Sequence, residues 1–96
     1  SDDGKEISIT ATGGVRYTVP STINTAQMGD TVTVRFRVGA VYKNCYIAVY
    51  LDDKQLQHRK RPVMAPGEME QVILTKESLE KYPDLKEITI CTEVDE

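Results

Sequence analysis

Thr31-Val32-Thr33-Val34-Arg35-Phe36-Arg37-Val38 alternates without a break. Val32, Val34, Phe36 and Val38 fall on one parity, and Thr31, Thr33, Arg35 and Arg37 on the other. Period-two alternation of β-branched or aromatic residues with polar ones describes a strand buried on one face and wet on the other. Gly29-Asp30 precedes the run and Gly39 follows it. Both flanks are turn formers, so the strand is bounded on each side.

Outward from this strand the same grammar repeats. Ile7, Ile9 and Ala11 alternate with polar residues, as do Val15, Tyr17 and Val19, which are expected to face inward. Gly13-Gly14 between them predicts a hairpin turn or a kink. Residues 45–51 are apolar on both parities, which predicts a central strand. Asp52-Asp53-Lys54 then breaks the run, so 45–51 and 55–61 read as a hairpin. Residues 71–74 predict a short strand, and Pro66-Gly67 a turn before it. Residues 87–94 predict the last strand, with Ile88, Ile90 and Val94 inward. Thr75 is placed to cap a short helix over 76–82, which Pro83 stops.

About seven strands with turn signals every 8–12 residues or so predict an all-β, two-sheet sandwich of immunoglobulin-like or fibronectin-like type, with one short helix near 76–82. A small barrel is the alternative. There is no tryptophan, so the Cys…Trp…Cys core of antibody domains is missing. The chain has 96 residues, enough for one domain. Residues 6–96 read as that domain and 1–5, with Asp2-Asp3-Gly4, as a disordered tail.

Hydrophobic residues make up 40% and charged residues 28%, which excludes a disordered or collagen-like chain. No apolar run is long enough to span a bilayer as a helix. The net charge of −3 argues against nucleic acid, whose binding rests on neutralising many phosphates.

Chemistry is sparse. His58 is the only histidine, set between Gln57 and Arg59, and reads as a solvated surface residue. One histidine and two separated cysteines do not make a zinc site. Asp52-Asp53 reads as turn chemistry, not a metal site. Gly13-Gly14 lacks the spacing of a dinucleotide-binding loop. The sequence therefore offers no catalytic, cofactor-binding or metal-binding residue.

Surface candidates remain. Arg59-Lys60-Arg61, after His58, reads as a charged edge strand, or as a docking stripe for an acidic surface. Cys45 shares parity with Ile47, Val49 and Leu51 and points inward. Cys91 has the parity opposite to Ile88 and Ile90 and points outward. Opposite faces cannot satisfy disulfide geometry, so both are expected to be free thiols, suited to a reducing cytoplasm. Tyr46, Ala48 and Tyr50 then face out, and Cys91 joins them if the last strand lies beside theirs. This outer face is either a set of tyrosines stiffening a sheet or a docking face.

Three segments carry a family resemblance: Gly13-Gly14-Val15-Arg16-Tyr17-Thr18-Val19-Pro20, residues 32–38, and Ala65-Pro66-Gly67-Glu68-Met69-Glu70. Together they make residues 7–94 resemble the C-terminal extension of bacterial FAD- and NAD(P)-dependent pyridine nucleotide-disulfide oxidoreductases, some of them anaerobic glycerol-3-phosphate dehydrogenase-like. The resemblance implies a flavoprotein that holds FAD and NAD(P) in an upstream portion. It transfers no catalytic residue here. It implies an accessory or assembly role in the cytoplasm, with that upstream flavoprotein domain, in the same chain or another subunit, as partner. Tyr46, Tyr50, Cys91, Arg59, Lys60 and Arg61 are the expected contact residues. An extracellular immunoglobulin-like binding or adhesion module is the alternative.

Overall fold

Two sheets face each other in the computed structural model, which describes residues 6–94. The expected tail at 1–5 lies outside the described residues. The strands are β1 (Glu6–Ala11), β2 (Val15–Val19), β3 (Thr22–Asn24), β4 (Thr31–Val38), β5 (Tyr42–Leu51), β6 (Lys54–Met64), β7 (Glu70–Thr75) and β8 (Glu87–Val94). One helix, α1 (Lys76–Glu80), lies between β7 and β8. The larger sheet has the order β3-β1-β8-β5-β6, the smaller β2-β4-β7. The all-β sandwich read from alternation is therefore the fold. Eight strands stand where about seven are expected, and the three-residue β3 is too short to announce itself by periodicity.

The inward rows form the core. Val34, Phe36 and Val38 of β4 and Val72 and Leu74 of β7 line one side; Ile47, Val49, Leu51, Ile88 and Ile90 line the other. Cys45 is buried in this layer, as its parity predicts. Leu79 of α1 adds to it, and Thr75 caps that helix by accepting a hydrogen bond from the Ser78 amide at 3.1 Å. The helix stops at Glu80, and residues 81–82 turn back onto Ser78 and Leu79 instead of extending it.

Two parity expectations fail. A bulge between Val15 and Tyr17 slips the β2 register against β4, because Val15 pairs with Val38 while Tyr17 already pairs with Arg37. The extra residue inverts the faces of the rest of the strand: Thr18 is buried, and Tyr17 and Val19 face solvent. Val94 is also exposed, at the end of β8.

Gly13-Gly14 does not close a hairpin. It carries the chain from β1 in the larger sheet to β2 in the smaller. Both glycines have positive φ, +57° and +99°, which favours glycine. The turn also lies on β8: a Cβ on Gly13 would sit 3.2 Å from that of Cys91. β1 runs parallel to β8, with Ser8 opposite Glu87 and Ala11 opposite Ile90. β5 lies between β6 and β8 as the expected central strand, and Asp52, at φ 52°, turns the β5–β6 hairpin. The Asp52 carboxylate accepts from the Lys86 and Glu87 amides at 3.3 and 3.0 Å, so this turn residue also ties down the start of β8.

The β6 edge meets the β7 edge through side chains. Gln57 Nε2 donates to the Ile73 carbonyl at 2.9 Å and Arg59 Nη2 to the Gln71 carbonyl at 2.9 Å. Arg61 grips the Glu70 carboxylate with two bonds, 3.1 and 3.3 Å. The Gln57 and Arg59 bonds occupy carbonyls that the β7 edge would otherwise offer to a foreign strand. Pro62, with no amide to donate, is tolerated because β6 is an edge.

Candidate contact surface on the larger sheet

The outer face of the larger sheet is built on β5. Its register places Tyr46 between Lys60 and Glu93, Ala48 between His58 and Cys91, and Tyr50 between Gln55 and Thr89. The expected adjacency of the tyrosines and Cys91 is therefore present. Glu93 and His58 join them. Nothing in the sequence links these two residues, which lie 35 positions apart, but Glu93 shares the outward parity of Cys91, and that was the available signal.

Glu93 organises the surface. Its Oε2 accepts from the Tyr50 hydroxyl at 2.5 Å and its Oε1 lies 3.3 Å from His58 Nε2. The His58 ring stacks on Tyr46, with centroids 4.1 Å apart and planes 20° from parallel. His58 is exposed, as expected, and its ring belongs to this cluster. Tyr50 and Glu93 are two rows apart along the sheet, so their side chains meet over Ala48 and Cys91. Ala48 is small enough to fit beneath them and is fully buried.

Cys91 points outward as expected, yet it is only 9% exposed. The Gly13 turn and the Glu93 side chain cover it. It is therefore not an accessible part of a docking surface. Burial, and then the nearby Glu93 charge, push its thiol above the ordinary value. The hydrogen bond to Glu93 does the same for the Tyr50 phenol. Both groups stay protonated near neutrality, and a thiol nucleophile acts as thiolate. His58 Nε2 faces the carboxylate, so the cysteine and histidine do not form the nucleophile–base pair that covalent catalysis needs. The cluster holds aromatic rings in place by stacking and hydrogen bonding. Cys45 is also free, and burial raises its thiol too.

The basic run divides between two faces. Only Lys60 shares the outer face with Tyr46. Arg59 and Arg61 are turned toward β7 and bonded there, because neighbouring residues on a strand point to opposite sides. The expected continuous stripe of Arg59, Lys60 and Arg61 is therefore not formed.

Among the described residues, no three histidine, cysteine or acidic side chains are grouped to hold a metal ion. Among the described residues, no helix is long and apolar enough to cross a membrane. A cleft of about 340 Å³ opens beside α1 over Ile7, Leu79, Tyr82 and Leu85, with Glu80 as its one charged group. Comparisons with protein-family models, curated proteins and solved structures find no match. The class defined by the fold and this surface is a β-sandwich domain whose outer sheet face carries an ordered aromatic platform.

Proposed function

We propose that this chain is a non-catalytic accessory or assembly domain of a larger FAD/NAD(P)-dependent oxidoreductase, glycerol-3-phosphate dehydrogenase-like in type. The observation that carries the reading is the platform of Tyr46, His58, Tyr50 and Glu93. Aromatic rings already held by stacking and hydrogen bonds lose little freedom when a partner covers them, which favours association. The family resemblance of residues 13–20, 32–38 and 65–70 points to the upstream flavoprotein portion as the partner. That portion would hold FAD and NAD(P). Two free thiols, both raised and slow to oxidise, fit a reducing cytoplasmic setting.

The test is to produce the flavoprotein portion separately and mix it with this domain. The two should co-elute in size-exclusion chromatography. Tyr46→Asp and Tyr50→Asp should each weaken association at least about tenfold, a loss usual for a central aromatic contact. The isolated variants should keep their circular dichroism. Association unaffected by either substitution removes the proposed face. No association with the flavoprotein removes the accessory role.

A further inference from the structure

The outer face of the smaller sheet has a different character. Its grid is set by the register. Val19, Arg35 and Gln71 lie across one row of β2, β4 and β7; Tyr17 pairs with Arg37 and Thr33 with Ile73 in the rows beside it. Tyr17, Val19 and Ile73 are 50%, 62% and 48% exposed. Two arginines thus stand among three large apolar side chains. No Asp or Glu occupies an outward position on these strands, although the chain as a whole carries −3.

The local backbone brings this about. Without the bulge after Val15, Tyr17 and Val19 would follow Val15 into the core. With it, Arg16 is the extra residue and both apolar side chains turn outward. Bulges re-aim side chains in this way beside working surfaces. Arg37 is fixed by donating from Nη1 to the Gly67 carbonyl at 3.0 Å. Arg35 has no carboxylate partner among the described residues.

We infer that this face is a second interaction surface, on the opposite side of the sandwich from the platform, and that it binds an acidic protein segment bearing apolar side chains. Arg35 and Arg37 receive carboxylates, and Tyr17, Val19 and Ile73 receive the apolar groups between them. Charge complementarity selects this occupant. The planar guanidinium fork matches a carboxylate with two hydrogen bonds. The inference does not depend on what covers the Tyr46 platform.

The test uses the chain with a labelled twelve-residue peptide of alternating Glu and Leu, and a Lys-for-Glu counterpart as control. Amide resonances of residues 17–19, 33–37 and 71–73 should shift on titration with the acidic peptide alone, and added salt should weaken binding. Arg35→Glu should weaken it at least about tenfold, as charge reversal at a contact does. Ile73→Thr keeps a β-branched residue in the strand and should weaken it about threefold or more through lost apolar contact. Four results would overturn the inference: no shift at millimolar peptide, shifts confined to other faces, equal response to the basic peptide, or tighter binding to phosphatidylserine vesicles than to peptide. Concentration-dependent self-association abolished by Arg35→Glu would also overturn it, by naming a second copy as the occupant.

Discussion

Arg61→Ala should destabilise the domain more than any other single surface substitution on β6. Glu70 is 5% exposed, and its carboxylate is held by both Arg61 bonds. Breaking a buried ion pair by removing one partner costs about 3–5 kcal/mol, because a charge is left without compensation. The Arg61 side chain is 34% exposed, so water can reach part of the vacated space and moderate that cost. The expected loss is therefore an intermediate value of about 2 kcal/mol. For a domain of this size it corresponds to a fall in Tm of about 8–16 °C. The chain lacks tryptophan, so thermal and urea unfolding are best followed by far-ultraviolet circular dichroism. Arg61→Met with Glu70→Met removes both charges and fills the space with apolar atoms. That double variant should recover most of the loss, since the penalty lies in the orphaned carboxylate and not in a missing attraction. A loss under about 0.5 kcal/mol for Arg61→Ala, the range of an ordinary surface change, would refute the reasoning. So would a double variant no more stable than the single one.

Glu93→Gln should bring the Tyr50 phenol down toward its ordinary value, read by phenolate absorbance in a pH titration. The same change should speed Cys91 alkylation only modestly, because burial, the larger cause of its raised thiol, remains. Gly14→Ala should cost about 1–3 kcal/mol in urea unfolding, since φ is +99° and the new Cβ would press on the Tyr42 ring. Stability should fall as pH rises above the ordinary thiol value of 9.0. The unfolded chain releases the Cys45 and Cys91 protons first, so their contribution is complete below that pH and is lost as pH climbs through the raised folded values. Replacing Cys91 with Ser should flatten this alkaline slope in a pH series of unfolding curves.

The fold was legible where alternation is long. Residues 31–38 have one wet and one dry face, and 45–51 form a strand with neighbours on both sides, and both fell where parity placed them. The helix cap at Thr75 was legible for the same local reason. The β2 bulge was not, because Val15-Arg16-Tyr17-Thr18-Val19 alternates well enough to disguise an inserted residue. Only pairing with β4 reveals it. At the candidate site the outward set of Tyr46, Tyr50 and Cys91 could be read from parity. Its burial could not, since the cover over Cys91 comes from the Gly13 turn and from Glu93. Arg59 to Arg61 looked like one basic stripe because charge is visible in a sequence, whereas the buried acid that engages Arg61 is nine residues away.

The parallel register of β1 and β8 has a mechanical consequence. The first residue of β1 and the last residue of β8 lie at opposite ends of the same pair of neighbouring strands. Tension applied through those two ends slides the strands lengthwise past one another, so the inter-strand bonds share the load instead of opening in turn. Pulled in this direction, the sandwich acts as a shear clamp, and a tether running through it would hold its length until the whole ladder gave way together.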